Sequence, residues 1–316
     1  MFSYRHAFHA GNHADVLKHT TLVAILQYLV QKDAALTVID THAGAGLYRL
    51  DGDYAEKSGE SADGIHRLIQ AVKSPPAPVR KGADAGKSIA SGVAPALQAY
   101  LDLVAGFNTG SGPVTVYPGS PFVVERMLRP QDRLKLYELH PTDGRTLEGN
   151  IAQLDAGRQI AVLREDGFEA VRKFLPPPSR RALLLCDPSY ELKSDYARVL
   201  DLVAEGLKRF ATGTYAIWYP VIARPEAHDL PRRLRTMANQ AGKGWLHASL
   251  MLKSSKVTSA AVAADGVAKR PGLPGSGMFV VNPPFTLKAA LAEALPQMVE
   301  ALGQDRNAAF TLEAGG

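Results

Sequence analysis

The chain alternates short apolar runs with longer stretches in which apolar residues recur at helical spacing. Short apolar runs are typical of strands buried on both faces, and the spacing between them is typical of amphipathic helices. Strands and helices that alternate in this way predict an α/β fold with a mostly parallel sheet. We predict seven strands, at residues 36–40, 133–139, 160–165, 182–187, 214–218, 246–252 and 278–281.

Two predicted helices are well defined. Residues 14–31 carry apolar side chains almost all round, so we expect this helix to be buried on both sides. The helix after the fourth strand starts at Ser194, a residue type that caps helices, and continues to Phe210 with apolar residues at helical spacing.

A long segment separates the first two predicted strands. It has about ninety residues, where a simple crossover needs roughly thirty. We interpret residues 50–112 as an inserted helical subdomain within a domain that covers residues 1–316, with helices near residues 64–72 and 94–107. Between these helices, residues 73–91 are rich in Pro, Gly, Ala and Lys, which predicts a mobile linker.

The composition is that of an ordinary globular protein, because 46% of the 316 residues are apolar and 21% are charged. The longest nearly unbroken apolar stretch, residues 22–30, is too short to span a bilayer. Tyr4, Arg5 and His6 stand where a signal peptide needs apolar residues. The single cysteine, Cys186, excludes a disulfide framework and a cysteine-based zinc site. We therefore expect a cytoplasmic protein with no membrane partner.

Basic residues outnumber acidic ones by 36 to 31, which gives a net charge of +5 and an isoelectric point near 9.2. Clusters such as Arg180-Arg181 and Arg232-Arg233 suit a polyanionic partner, but solvated helix ends are the simpler explanation. Charge alone therefore does not identify the partner.

Ligands of parallel sheets bind at the carboxyl ends of the strands, so the residues after each predicted strand are candidates for chemistry. Gly44 and Gly46 follow the first strand, in a turn that lets the backbone approach a ligand. Arg49 stands where the fingerprint of NAD-dependent dehydrogenases has Gly or Ala, which argues against a bound pyrophosphate. We therefore favour a cofactor without phosphate.

Acidic residues follow the next two strands. Glu138 is in the position where a carboxylate accepts hydrogen bonds from ribose hydroxyls, although a surface glutamate beside a turn fits equally well. Asp166 and Gly167 fit either a turn against an adenine ring or an ordinary Asp-Gly turn.

The fourth strand runs directly into Asp187, Pro188 and Tyr190. This arrangement suits a planar substrate with an exocyclic amine, which is a poor nucleophile because its lone pair is delocalised into the ring. Hydrogen bonds to the Asp187 carboxylate and the Pro188 carbonyl would localise that lone pair, and the carboxylate would accept the proton during methyl transfer. Tyr190 would offer a flat stacking surface. Cys186, inside the apolar strand, is expected to be buried rather than nucleophilic.

The sequence Asn282-Pro283-Pro284-Phe285 fits the pattern Asn/Asp-Pro-Pro-aromatic better than the residues after the fourth strand do. If it ended the fourth strand, only about thirty residues would remain for three further strands and their helices. Three strands follow Asp187 at suitable spacing. We therefore assign Asn282 to a structural turn that closes the last strand.

Four of the nine histidines lie near the amino end, at His6, His9, His13 and His19. Asp15 is the only acidic residue among them and no thiol is near, so we predict no metal site.

Two further features are candidates for ligand contact. Tyr4 with Arg5 suits base stacking and phosphate contact. Ser120 before Pro121 is typical of a helix cap followed by Pro at the first helical position, and a cap that faces the cleft would reach a ligand.

Together these residues resemble the RlmJ family, the bacterial 23S ribosomal RNA adenine-N6 methyltransferases that use S-adenosylmethionine. The resemblance spans most of the chain and is carried by the strings SYRHAFHAGNHADVLKH, DTHAGAG, YPGSP, ELHP, DGF, DPSYE, KRFATGTYAIWYP and SGMFVVNPPF. It implies a class I, Rossmann-like methyltransferase fold, in which helices flank the sheet and a small helical subdomain is inserted after the first strand.

The resemblance also implies roles for individual residues. Asp187 would be the catalytic proton acceptor. The residues that contact the cofactor would be His19, His42, Ser120 near its methionine part, Glu138 at the ribose, Asp166 and Gly167 at the adenine, and Asp187. Tyr4, Pro188 and Tyr190 would contact the RNA. The family motif Asp-Pro-Pro-Tyr has Ser189 at its third position here, which adds an N–H group and backbone freedom.

We therefore expect a monomer that transfers a methyl group from S-adenosylmethionine to N6 of one adenine in 23S ribosomal RNA. The base would be unstacked and held against Tyr190. Basic residues of the inserted subdomain and of residues 253–270 are candidates for contacts with the RNA backbone. A DNA adenine-N6 methyltransferase and a non-catalytic RNA-binding module remain as alternatives.

Overall fold

The computed structural model describes residues 5–52, 58–75, 88–110, 112–254 and 272–316. The strands are β1 (Thr37–Asp40), β2 (Leu47–Arg49), β3 (Val116–Pro118), β4 (Arg133–Tyr137), β5 (Ile160–Leu163), β6 (Ala182–Cys186), β7 (Thr214–Val221), β8 (Trp245–Met251), β9 (Gly275–Val281) and β10 (Ala309–Gly315). The α-helices are α1 (His13–Leu29), α2 (Arg67–Lys73), α3 (Pro95–Ala105), α4 (Ser120–Glu125), α5 (Pro141–Ile151), α6 (Ala170–Phe174), α7 (Ser194–Arg209), α8 (Pro225–Gln240) and α9 (Leu287–Leu302). None of the helices in these ranges combines the length and apolar character that a membrane crossing requires.

Some sequence predictions fall outside the described residues. These are the role of Tyr4, most of the linker at residues 73–91, and most of the basic segment at residues 253–270.

Eight strands form one sheet in the order β10-β8-β9-β7-β6-β1-β4-β5. The strands β5, β4, β1, β6 and β7 are parallel, and β9 runs antiparallel between β7 and β8. All seven predicted strands are present, and the predicted α/β class with a mostly parallel sheet is confirmed.

The prediction of seven strands is one short, because β10 extends the sheet. It pairs antiparallel with β8, from Ala309 opposite Met251 to Gly315 opposite Trp245. Its residues are mostly exposed, so no apolar run marks this edge strand in the sequence. The pairing with β8 defines it instead.

The two faces of the sheet pack into two separate cores. In β1, Val38 belongs to the core formed with α1–α5 and α9, whereas the next residue, Ile39, belongs to the core formed with α6–α8. Strands covered on both faces read as continuous apolar runs, which is why their prediction succeeded. The helix predicted to be buried on both sides is α1, in which every residue from His13 to Leu26 is buried.

The long segment after β1 begins and ends at a small sheet of two antiparallel strands, β2 and β3. The two helices predicted within it are present as α2 and α3. Both pack on α9, and α3 also packs on α1. Their apolar side chains therefore share the core of those helices. The assignment of residues 50–112 to a subdomain stays a prediction.

The start of α7 differs from the prediction. Ser194 is the first helical residue rather than the cap, and Lys193 holds the cap position without a side-chain capping bond. Asp195 places a negative charge in the first turn, which interacts favourably with the helix dipole.

Candidate active site

A cleft with a cavity volume of about 320 Å³ opens at the carboxyl ends of β1, β4, β5 and β6. This volume is at the lower end of the range for small-ligand sites. The cleft brings together most of the predicted site residues, namely His42, Ser120, Glu138, Asp166, Gly167, Asp187 and Pro188. His19 and Tyr190 are absent from its lining.

Asp187 follows β6 directly, and its Oδ2 accepts a hydrogen bond from the ammonium group of Lys18 on α1. The Lys18 Nζ also lies 2.9 Å from Asp15 Oδ1. Lys18 is only 4% exposed. Burial opposes its charge, but the carboxylates of Asp15 and Asp187 raise the pKa of Lys18 above its ordinary value. A permanent buried cation therefore holds one oxygen of Asp187.

Asp15 extends this arrangement towards the amino end of the chain. Its Oδ2 accepts a hydrogen bond from the Gly11 N–H (2.9 Å) and lies 3.0 Å from His6 Nε2. Burial alone would raise the pKa of Asp15, but His6 and Lys18 bring it well below its ordinary value. We call the series His6, Asp15, Lys18 and Asp187 the ionic chain.

The start of α1 accounts for the geometry of the ionic chain. The Asn12 side chain accepts hydrogen bonds from the backbone N–H groups of Ala14 and Asp15, at 2.9 and 3.0 Å, and so caps the helix. Asp15 therefore lies in the first turn, and Lys18 lies three residues later on the same side of the helix.

Asp40, at the end of β1, is fully buried beside the cleft. Its Oδ2 accepts a hydrogen bond from the Ser120 hydroxyl (2.6 Å), and its Oδ1 accepts one from the His42 N–H (3.2 Å). Burial raises the pKa of Asp40 to about 6. The prediction of Ser120 as a helix cap is wrong, because Gly119 holds the cap position and Ser120 is the first residue of α4.

Glu138 is fixed by two backbone groups. Its Oε2 accepts a hydrogen bond from the Gly44 N–H (2.8 Å), and its Oε1 accepts one from the His140 N–H (2.6 Å). Gly44 has a φ of +61°, and a Cβ there would lie 2.2 Å from the Tyr48 hydroxyl. Only glycine lets the turn after β1 close onto Glu138 in this way. Burial raises the pKa of Glu138.

The turn after β5 packs against the turn after β1. Asp166 Oδ1 accepts a hydrogen bond from the Phe168 N–H (3.1 Å), and Asp166 Oδ2 is paired with Arg198 of α7. The Arg198 guanidinium lies over the Phe168 ring, 4.0 Å from its centre. A Cβ on Gly167 would lie 1.8 Å from the Thr41 carbonyl oxygen, so this contact requires glycine.

His42 lies between these two turns. Its Nδ1 is 2.8 Å from Thr41 Oγ1, and its ring meets Phe168 edge-on with 4.8 Å between the ring centres. Burial lowers the pKa of His42 to about 4. The imidazole is therefore neutral at pH 7.

The lining of the cleft is acidic. It contains the carboxylates of Glu138, Asp143, Asp166, Asp187, Glu191 and Asp195. Its Lys and Arg residues are Lys18 and Arg198, and each is paired with an aspartate. Such a lining favours a ligand with a positive charge and disfavours a pyrophosphate. This agrees with the interpretation of Arg49, whose exposed side chain pairs with Asp51.

Comparison with known proteins shows the family. A family model described as "Ribosomal RNA large subunit methyltransferase D, RlmJ" matches residues 33–313. The chain is 40% identical over 296 residues to "Ribosomal RNA large subunit methyltransferase J" of Escherichia coli K12, which covers 94% of this chain and 92% of that protein. The chain belongs to the RlmJ family.

Two further comparisons cover nearly the whole chain. A Haemophilus influenzae protein with the same description as the Escherichia coli one is 39% identical over 313 residues, or 99% of this chain and 98% of that protein. The crystal structure of a Legionella pneumophila protein has a TM-score of 0.78 at 28% identity, over 97% of this chain and 98% of that one. The resemblance identified from the motifs is therefore confirmed, as is the class I methyltransferase fold that it implied.

Tyr190 has a different position from the one expected for this RlmJ-family chain. Its side chain is 2% exposed. Its hydroxyl donates a hydrogen bond to the Trp218 carbonyl (2.6 Å), and its ring packs against Tyr196 with 4.6 Å between centres. The structure thus gives Tyr190 a buried site rather than an open stacking surface, and its contact with RNA stays a prediction.

His19 is also fully buried. Its Nδ1 lies 2.8 Å from the Tyr117 hydroxyl, and the two rings stack with 5.7 Å between centres. Burial lowers the pKa of His19 to about 3, so the side chain is neutral. Its contact with a cofactor stays a prediction.

The other amino-terminal histidines have separate partners. His9 Nδ1 is 3.0 Å from Glu60 Oε2, and His13 Nε2 is 2.9 Å from the Leu273 carbonyl oxygen. Within the part of the chain that the structure describes, no three His, Cys, Asp or Glu side chains form a group that could hold a metal ion.

Asn282 and Asp187 lie at opposite ends of the strands of the sheet. It follows β9, whose end pairs with the start of β7. The Asn282 side chain donates hydrogen bonds to the carbonyl groups of Ala211 (3.0 Å) and Gly213 (2.7 Å). The structural role predicted for Asn282 is therefore confirmed, although β9 is not the last strand.

Sequence reasoning missed Lys18 and Arg198 as site residues in this RlmJ-family chain. Lys18 has a recognisable signal, since a helix with apolar residues almost all round carries an aspartate and a lysine three positions apart. Charged residues on such a helix must be buried, and buried charges need partners. Arg198 has no comparable signal, because a single arginine on an amphipathic helix is ordinary.

Proposed function

We propose that this chain is a cytoplasmic monomer that transfers a methyl group from S-adenosylmethionine to the exocyclic N6 of an adenine in 23S ribosomal RNA. Membership of the RlmJ family supports ribosomal RNA as the substrate class. The observation that carries the proposal is the position of Asp187. Its carboxylate ends a buried strand, lies at an acidic cleft and is held through one oxygen by a buried lysine.

The cleft fits the proposed cofactor. The fixed Glu138 carboxylate suits hydrogen bonds from ribose hydroxyls. Asp166, Gly167 and His42 would border the adenine, and Ser120 would lie near the methionine part. The acidic lining suits a ligand whose sulfonium and ammonium groups are both positive. When bound, S-adenosylmethionine supplies an electrophilic methyl group.

Asp187 and Pro188 would prepare the nitrogen for attack. Hydrogen bonds from the adenine amino group to the Asp187 carboxylate and the Pro188 carbonyl would favour a pyramidal nitrogen with a localised lone pair. The nitrogen would then gain the methyl carbon while the bond between that carbon and the sulfonium sulfur breaks, which leaves S-adenosylhomocysteine. The nitrogen would also lose one proton, which Asp187 accepts directly or through a water molecule. Because Lys18 holds Oδ2, Oδ1 is the oxygen that we assign to the amino group.

A transfer assay tests the substrate and the role of Asp187 together. S-adenosylmethionine with a labelled methyl group is incubated with unmodified 23S ribosomal RNA or with duplex DNA, and label in each polymer is counted. We expect label in the RNA, and a loss of at least about 100-fold for Asp187→Asn, since a general base contributes roughly 10²–10⁴-fold. Asp201→Asn, an exposed change on α7, is the control.

The other outcomes separate the alternatives. Label in DNA but not in RNA would support a DNA methyltransferase. RNA binding without label in either polymer, unchanged by Asp187→Asn, would support a non-catalytic RNA-binding module.

A further inference from the structure

The loop after β6 contains an unusual backbone conformation. Tyr190 has a φ of +53°, a left-handed value that is rare for a bulky side chain. Such a conformation is strained and persists only where the surroundings enforce it. Tyr190 lies three residues after Asp187 and two after Pro188, so whatever enforces its conformation also shapes the loop that carries both groups.

Contacts from three directions enforce the conformation of Tyr190. The Trp218 carbonyl on β7 accepts a hydrogen bond from its hydroxyl, and the Tyr196 ring of α7 packs against its ring. The guanidinium group of Arg224 donates a hydrogen bond to the Tyr190 carbonyl, with 3.0 Å between Nη1 and the oxygen. Of these contacts, only the one from Arg224 joins a side chain to the backbone of the loop.

Arg224 is well placed for this contact. It holds the cap position of α8, three residues after the end of β7, and its side chain is half-buried. A second pair joins the same two segments, since Lys193 Nζ is 3.6 Å from Glu226 Oε1. The lysine of that pair is largely exposed, so the pair contributes little to the stability of the loop.

The composition of the loop makes the contact with Arg224 more important. Ser189 precedes Tyr190, so only Pro188 restricts the backbone of the loop through a ring. The Ser189 hydroxyl accepts a hydrogen bond from the Glu191 N–H at 3.5 Å, which is a long contact.

We propose that Arg224 is a positioning residue for methyl transfer: by holding the Tyr190 carbonyl, it fixes the loop that presents the Asp187 carboxylate and the Pro188 carbonyl. Arg224 does not line the cleft, so it would act through Tyr190 rather than by contact with cofactor or substrate. The proposal rests on the proposed function for its kinetic consequence. Its structural part, a loop held by Arg224, can be tested without any activity.

The kinetic test compares Arg224→Met with the wild-type chain. Because the reacting groups would be misplaced, we expect kcat to fall by about 10- to 100-fold. The KM for S-adenosylmethionine should change by less than about twofold, since the proposed cofactor residues that follow β1, β4 and β5 are untouched. Arg224→Lys, which keeps the charge but loses the planar guanidinium group, should have an intermediate kcat. Arg232→Met, an exposed change on the same helix that breaks a pair with Asp229, is the matched control.

Substitution of Ser189 distinguishes positioning from a general structural role. Ser189→Pro restores a ring that restricts the loop, so it should raise kcat of Arg224→Met by at least about fivefold while changing the wild-type kcat by less than about twofold. If the two substitutions acted independently, Ser189→Pro would change kcat by the same factor in the wild-type chain and in Arg224→Met, which would contradict a positioning role.

Hydrogen exchange measured by mass spectrometry tests the loop directly. Amides in a peptide that covers residues 187–193 should exchange at least about tenfold faster in Arg224→Met, while a peptide from β1 is unchanged. Unchanged exchange at 187–193, an unchanged kcat, or equal loss of protection in both peptides would each overturn the proposal. If the wild-type chain makes no methylated nucleoside, the proposed function fails, and the exchange measurement still decides whether Arg224 holds the loop.

Discussion

At the scale of single residues, burial of the ionic chain removes hydration from its charged groups, which is unfavourable. Lys18 and Asp15 are 4% and 1% exposed, and the loss of hydration for two such charges can exceed their mutual attraction. An apolar pair of the same volume would stabilise the fold as well or better. The placement of the pair against Asp187 therefore points to the chemistry of the site rather than to stability.

Replacement of Lys18 should destabilise the folded chain. Lys18→Met leaves Asp15 and Asp187 without their shared cation, so we expect a loss of about 3–5 kcal/mol in the free energy of unfolding. Urea unfolding followed by circular dichroism measures it. Lys193→Met, which removes a lysine paired with Glu226 at the surface, should change the free energy by less than about 1 kcal/mol. Equal effects of the two changes would show that the buried pair has no special role.

Asp40 should make stability depend on pH. Its pKa is raised from an ordinary value of 3.8 to about 6 in the folded chain. Between these values the folded state binds more protons than the unfolded state, so the contribution of Asp40 to stability falls as the pH rises from 4 to 6. A shift of about two units corresponds to about 3 kcal/mol.

The difference in unfolding free energy between the wild-type chain and Asp40→Asn isolates this effect. Measured by urea unfolding at several pH values, the difference should move in favour of Asp40→Asn as the pH rises through this range. For the exposed Asp201→Asn the difference should stay nearly constant. A constant difference for Asp40→Asn as well would contradict the raised pKa.

At the scale of elements, the site is assembled by turns rather than by the regular strands. The turns after β1 and β5 approach each other so closely that Gly167 has room for no side chain beside the Thr41 carbonyl. Helices also support the segments around the cleft, since Arg198 of α7 pairs with Asp166 after β5 and Lys18 of α1 holds Asp187 after β6. The geometry of the cleft therefore depends on contacts between elements that are distant in sequence.

Substitution of Gly167 should separate the turns. Gly167→Ala places a methyl group at the Thr41 backbone, which cannot move without disturbing β1, so we expect destabilisation by about 2 kcal/mol or more and weaker binding of S-adenosylmethionine. Thermal unfolding and calorimetric titration measure the two effects. Gly149→Ala, inside α5 with open space around the new methyl group, should instead stabilise the chain by about 0.5–1 kcal/mol. Tight cofactor binding by Gly167→Ala would contradict this description of the cleft.

At the scale of the whole molecule, the charge distribution separates the two proposed ligands. The chain carries +5 overall, but the cleft is lined by more acidic than basic side chains. A polyanion would therefore bind basic surface outside the cleft, whereas a cationic cofactor would bind within it.

Salt should affect the two ligands differently. Affinity for single-stranded RNA should fall with rising salt with a log–log slope of about −2 or steeper, as expected for about three or more phosphate contacts. Affinity for S-adenosylmethionine should change by less than about threefold between about 50 and 200 mM salt. Filter binding and calorimetry measure the two affinities, and a flat salt dependence for RNA would contradict a backbone-mediated interface.

The sequence predicted the sheet well because strands covered on both faces are continuous apolar runs, and the rule for parallel sheets located the cleft. It did not predict β10, because an exposed edge strand has no apolar signature and is defined by its pairing with β8. The sequence also led us to expect an accessible ring at Tyr190. The buried position of that ring depends on Trp218 and Tyr196, contacts that no local pattern reveals.

We propose above that Asp187 serves methyl transfer to the N6 position of adenine. The most direct test is mass spectrometry of nucleosides from 23S ribosomal RNA after incubation with the protein and S-adenosylmethionine that carries a trideuterated methyl group. We expect N6-methyladenosine with three deuterium atoms from the wild-type chain, and at least about 100-fold less from Asp187→Asn. A labelled methyl group on another nucleoside, or equal N6-methyladenosine from Asp187→Asn, would contradict it.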